Sequence, residues 1–350
     1  QITTGFSNTA VGGLSLDAQT TGDYNVAAGT LALSGDTTGN KATGVGYGAL
    51  AAQNVTDSAD TFNTAVGFSA GSAVTTGINN TIIGGLSGDA LTTGQQNVSV
   101  GSNSLSTLTT GSYNTAVGDR ALLYLETGSF ATALGQDALR NSTSGLNTAL
   151  GYSAMYSNTS GDYNVGVGHT ALGLNTTGTQ NVAVGYQAGN ANTTASYNTF
   201  LGTFSGSTNT TGANNTAVGN YALSLNTTGQ RNTVTGRATL YSNTTGSYNT
   251  ALGYDALSAN TTADNNTAVG YLALTANTTG TRNVAVGSLA LDANTTASYN
   301  IAIGYSALGA NTTGDESVAI GDNALLSNTT GQNNTAVGTS SLSANTTASK

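Results

Sequence analysis

A short block of alternating polar and apolar residues, Asn-Thr-Ala-Val-Gly, recurs along this chain at a step of seventeen residues. It starts at Asn8 and returns at Asn25, Asn63, Asn80, Asn97, Asn114 and onward to Asn334. With the Asn as position one, residues 266–282 give a representative tile, NTAVGYLALTANTTGTR. Twenty tiles fill the chain, and eighteen have seventeen residues. The tile at Ala42 carries four extra residues within 51–62, and the tile at Ala131 is one short. Self-similarity at a fixed period marks a stacked repeat protein.

Position two is Thr, Val or Ile in every tile, and position four is Val, Leu or Ile in eighteen, with Ala28 and Thr235 the exceptions. Position three is Ala in fourteen. Alternation with period two and β-branched residues predicts a short, half-buried strand. Glycine at position five, present in all twenty tiles from Gly12 to Gly338, is expected to end it with a positive φ or a close backbone approach. A second patch, x-Ala-Leu at positions seven to nine, predicts a second short strand. Asn-Thr-Thr-Gly at positions twelve to fifteen predicts a turn, with Asn and Gly taking the left-handed conformation. Proline is absent and no window carries a sustained helical stripe. The expected fold is all-β: a parallel β-solenoid of about twenty seventeen-residue coils stacked into a rod.

The phase of the alternation sets what faces out. If positions two and four point inward, the Ala rows at position three lie outside, and small apolar rows on an outer face suit close packing between copies. This predicts a homo-oligomer with Ala rows at the interface. The alternative is that Ala faces inward in a narrow coil. Asn at positions one and twelve is expected to form side-chain ladders from coil to coil.

The chain 1–350 reads as a single repeat array. Residues 8–146 form less regular coils, with the insertion near 51–62, and 147–350 form highly regular ones. From Asn158 to Asn345 position twelve is always Asn, whereas earlier tiles place Gln19, Asp36, Val74, Leu91 or Leu108 there. Within the seven leading residues, Thr3 to Ser7 read as the tail of a preceding tile, so a longer array is expected. The irregular tiles from Ala42 to Ser106 are where a specialised patch is expected.

Charge narrows the partners. Only 7% of residues are charged, the net charge is −9, and no basic stripe exists, which argues against nucleic acid. No apolar run reaches the length of a membrane span, so direct membrane insertion is not expected. Cysteine is absent, no tile position carries a consistent acid, and the lone His169 stands where Tyr is commonest. No catalytic, metal or cofactor-binding set is expected, and the chain does not read as an enzyme.

Recognition could fall to tyrosine. Tyr47, Tyr152, Tyr186, Tyr254, Tyr271 and Tyr305 share position six, and Tyr113, Tyr163, Tyr197, Tyr248 and Tyr299 share position seventeen. Rings with a polar tip suit sugar or protein surfaces; the structural alternative is that they stack along the array. Gly219, Gly253, Gly270, Gly287, Gly304 and Gly321 are the expected structural turn residues. The twelve Asn-x-Thr/Ser triplets at position twelve are formal glycosylation sequons.

Ser317-Val318-Ala319-Ile320-Gly321 resembles the repeated motif of the head domains of trimeric autotransporter adhesins, and Asn300-Ile301-Ala302-Ile303-Gly304 is close to it. The Asn-Thr-Ala-Val-Gly-Tyr-x-Ala-Leu form also resembles repeats of phage tail-fibre-like proteins. The resemblance implies a left-handed parallel β-roll in a trimer, with Val318 and Ile320 filling the roll and Gly321 turning the chain. It implies binding to host-surface proteins or glycans. The tile is longer than the adhesin head repeat, so the outer turn is longer here. The expected function is an extracellular adhesive fibre on a bacterial surface or a phage tail. Two rivals are an ice-binding solenoid, suggested by the Thr-Thr pairs in the turn, and a structural filament without a receptor.

Overall fold

The computed structural model describes residues 3–349; Gln1, Ile2 and Lys350, at the outer ends of the leading tail and the last tile, lie outside it. Each tile contributes one three-residue strand at positions two to four, from β1 (Thr9–Val11) and β2 (Val26–Ala28) to β20 (Thr335–Val337). The chain forms two compact units, divided between Thr177 and Gly178. In the first, every strand from β1 to β10 (Val165–Val167) pairs parallel and in register with the strand of the next coil, as Ala10 does with Ala27. In the second, the same holds from β11 (Val182–Val184) to β20. The fold is a parallel β-solenoid, with no helix among the described residues.

Three expectations change. First, the coil has one strand, not two. Positions seven and nine are left-handed, as at Leu272 (φ 53°) and Leu274 (φ 54°), so Ala-Leu lies in a run of turns. These residues aim their N–H groups at opposite neighbours: Leu272 donates to Tyr254 O of the preceding coil and Leu274 to Ala290 O of the following one. The hydrogen bonds offset conformations that cost a non-glycine residue roughly 1–2 kcal/mol. Second, the turn closes on a left-handed residue at position seventeen, such as Arg282 or Tyr299, rather than on Asn twelve or Gly fifteen. Gly fifteen is there for room: a Cβ on Gly212 would lie 2.2 Å from Gly229 O.

Third, the phase is reversed. Ala at position three is buried (Ala116, Ala217 and Ala268 are all 0% exposed), while positions two and four are half-buried or exposed. Val318 and Ile320 therefore do not fill the roll; Ala319 does, and Ile320 is 38% exposed. The Ala rows cannot form an interface between copies. The cause is the narrow lumen. Position three shares it with buried Ala eight and Leu nine, so a small residue is what fits. The exceptions obey the same volume rule. Ile82 at position three lies between Gly71 and Gly88, which replace the usual Leu at position nine. Phe200 likewise falls in a coil whose position nine is Gly206, after one whose position nine is Gly189. Conversely, Met155 at position nine packs over Gly166, which stands at position three of the next coil.

The Asn ladders form as expected. Buried Asn249 accepts from the backbone N–H of Asn266 at 2.9 Å, and its amide donates to Ala263 O at 2.9 Å. At position twelve, Asn226 donates to Asn209 Oδ1 at 2.7 Å and to Gly229 O at 2.9 Å. In the first unit this inner column is Gln19, Asp36 and Gln53, then Val74, Leu91, Leu108 and Leu125, then Ser142, Asn158 and Asn175, all buried.

Asp36 is the costly member. Burial pushes its carboxyl above the ordinary 3.8, and hydrogen bonds from Gln53 Nε2 and the Gly39 N–H offset only part of that. Beside it in the column, Gln19 Oε1 is buried without a partner. Because the folded value is raised, Asp36's stabilising contribution is complete below pH 3.8 and is lost as the pH rises through the raised value. Asp36→Asn puts the ladder amide in its place. It is expected to raise stability at pH 7 by about 1 kcal/mol and to give no gain at pH 3.5. Urea denaturation of both proteins at the two pH values checks this, and an equal gain at both would refute the assignment.

Candidate functional site

Two kinds of surface stand out. One is the outward face of the strands. Positions one to five carry no charged residue in any tile. Position four leaves aliphatic side chains half-buried or exposed, the exposed ones including Leu134 (43%) and Leu150 in the first unit and Leu252 (47%) and Ile303 in the second. Beside them, position two is Thr in thirteen tiles. Thr216 is exposed and Thr267 half-buried, and among the described residues the position-two hydroxyls make no hydrogen bond to the protein. Position-thirteen threonines instead bond to the next coil, as Thr227 Oγ1 does to Thr244 O at 2.9 Å.

The other is the set of aromatic columns, which the left-handed residue at seventeen and the turn after Gly five hold outward. The rings pair along the stack. Tyr47 stacks on Phe68 (5.4 Å), Tyr113 on Phe130 (5.1 Å), Tyr152 on His169 (5.0 Å) and Tyr254 on Tyr271 (5.7 Å). Arg231 lies over Tyr248 and Arg282 over Tyr299. Tyr163, Tyr197 and Tyr305 are exposed. The sequence columns thus become columns of rings, and they converge on no single point.

One recess does gather unlike groups. Phe204 meets Tyr186 edge-on at 5.3 Å and stacks on Tyr221 at 5.1 Å, and Tyr221 meets Tyr241 edge-on at 6.2 Å. Tyr221, Tyr241, Arg237, Ala238 and Asp255 line a hollow of about 360 Å³. Arg237 lies over the Tyr254 ring, donates to Tyr254 Oη at 2.6 Å, and stands 4.0 Å from Asp255. Most of these residues are outside the regular tyrosine columns. Their signal is the departure of tile 232–248 from its own pattern, with Val234, Thr235, Arg237, Thr239 and Tyr241 at positions three, four, six, eight and ten. The recess lies in the regular half of the array, away from Ala42 to Ser106. There, the insertion is fastened by Lys41 to Asp60 at 2.7 Å.

The six named glycines are turn residues in the structure. Their φ values run from +129° at Gly321 to +140° at Gly270. The position-twelve sequons are closed: from Asn158 to Asn328 each Asn is fully buried, and the column's amides are spent on the ladder. A transferase acting on the folded chain has no access to them. A second cluster, Arg120, Asp137 and Arg140 with Tyr124 and Tyr156, marks the short tile. Its two guanidiniums share Asp137, and Asp119 stands 3.1 Å from Arg120. Among the described residues no three His or acidic side chains converge, and no helix is long and apolar enough to cross a membrane. No protein-family model matches the chain, and no curated protein is significantly similar to it.

Proposed function

We propose that this protein is an extracellular, fibrous adhesive protein of a bacterial surface or a phage tail, without catalytic activity. Three copies pack through the outward faces of their strands and leave the aromatic columns free to meet a host protein or glycan. The exposed aliphatic column at position four carries this reading. An exposed aliphatic column favours burial against another surface, and the face has no charge to oppose it. Repeated weak contacts along the array add up by avidity. The resemblance of 317–321 to adhesin head repeats supports the number three.

Light scattering is the test. A mass of three times 34.5 kDa is expected, falling to that of one chain in the variant Leu150→Lys/Leu252→Lys; a wild-type monomer would refute the packing. A second reading has its own observation. The position-two threonines form unpartnered hydroxyl columns on a strand face, as an ice-binding surface would. A monomer showing thermal hysteresis that is lost in Thr216→Lys/Thr267→Lys would favour it.

A further inference from the structure

We propose that the recess of coil 232–248 binds a neutral, β-1,4-linked pyranoside chain lying along the stack. This rests on the adhesive reading and names the ligand of one site within it. The two adjacent tiles share Ala at three and eight, an aliphatic residue at four and Ser at ten; this tile has Val234, Thr239, Thr235 and Tyr241 there, and departs also with Arg237 at position six, which varies from tile to tile. Three of those departures, Arg237, Thr239 and Tyr241, change side chains on the turns rather than in the strand. Thr239 is spent internally, its hydroxyl donating to Gly253 O. Arg237 and Tyr241 open onto the hollow.

The chemistry of the lining selects the class. Aromatic faces that keep their polar tips in water suit the C–H faces of sugar rings. Of the run Tyr186, Phe204, Tyr221, Tyr241, which steps from coil to coil, Tyr221 and Tyr241 line the hollow, and coils in a parallel sheet advance about 4.8 Å. That is close to the advance of one pyranose in an extended β-1,4 chain, so successive sugars can meet successive coils. Arg237 supplies donors and Asp255 acceptors for ring hydroxyls. Their proximity, 4.0 Å, leaves the recess without net charge, which favours a neutral glycan over an acidic one. The hollow, about 360 Å³, is at the small end of ligand sites and holds one or two sugar units.

Calorimetry on the full chain tests this with cellohexaose and chitohexaose, with hexagalacturonate and decaproline as competitors of other classes. At least one neutral hexaose is expected to bind. Tyr241→Ser and Tyr221→Ala are each expected to weaken it about tenfold or more, since aromatic anchors dominate such contacts. Arg237→Tyr returns the tile to its common residue, so folding is retained while binding falls. Glu126→Gln, in the first unit and outside the aromatic columns, is expected to change nothing. No binding of either neutral hexaose, binding indifferent to Tyr221 and Tyr241, or preference for hexagalacturonate or decaproline would each overturn the proposal. Retention of the chain on intact cell surfaces, measured alongside, separates the two readings. Retention unchanged in Tyr221→Ala/Tyr241→Ser leaves the adhesive role standing without this site, and a wild-type chain that binds hexaose but is not retained leaves the site standing without the adhesive role.

Discussion

Gly270→Val is expected to break the stack locally, at a cost of about 4 kcal/mol or more. Two effects combine. Gly270 has φ +140°, a conformation closed to side chains with a Cβ. A Cβ there would also lie 2.4 Å from Gly287 O and 2.6 Å from Gly287 C, atoms of the next coil's backbone that cannot swing aside. The same column repeats at Gly219 and Gly253, where an added Cβ would lie 2.3 Å from the next carbonyl oxygen. Because a solenoid coil touches only its neighbours, the damage should stay local. Hydrogen exchange is expected to lose protection from about 249 to 300 and to keep it in the first unit. Denaturation should gain an early step. An unchanged melt would show that the glycine column is not there for backbone geometry.

The second large effect lies in the lumen. Phe200→Ala is expected to cost about 3–5 kcal/mol, since the ring is wholly buried. Gly206→Leu should also destabilise, because its Cβ would meet Phe200 Cε1 at 2.2 Å. Together the two changes recreate the ordinary pairing of Ala at three with Leu at nine, seen in the next coil as Ala217 and Leu223. Backbone conformation does not stand in the way: Gly206 has φ 56° and Leu223 has φ 53°. The double variant is therefore expected to recover most of the loss, although Gly189 keeps some space open. A double-mutant cycle by urea denaturation reads the coupling, and additive costs would refute the volume rule.

The period alone placed every strand. Positions two to four are β in all twenty tiles, and Asn ladders follow from Asn recurring at one phase. The facing was not legible in the same way. Thr-Ala-Val has β-branched residues on one side and Ala on the other, and either side can be the inner one. A one-residue change of phase exchanges the faces. What decides is lumen width, set by Ala and Leu from the turn run, and that run hid its own nature because Leu at positive φ has no sequence signal. Phe200 with Gly206, and Met155 with Gly166, could have revealed it, since a large residue at one inner position coincides with the loss of one at another. The recess was visible only as departures at Arg237, Thr239 and Tyr241, which a search for repeated tyrosines passes over.

The changing inner column at position twelve has a consequence for how the chain finds its own register. Nearly identical tiles can pair one coil out of step, or with a tile of another chain, and such errors are the characteristic hazard of repeats. In the first unit a slip would set Gln53 against a site shaped for Val74, or Leu91 where Asp36 needs a donor. Where the column changes residue along that unit, the change acts as an address. In the second unit the column is Asn throughout, and a slip there costs nothing at position twelve. Its address is Phe200, which fits only a coil whose own ninth residue is glycine.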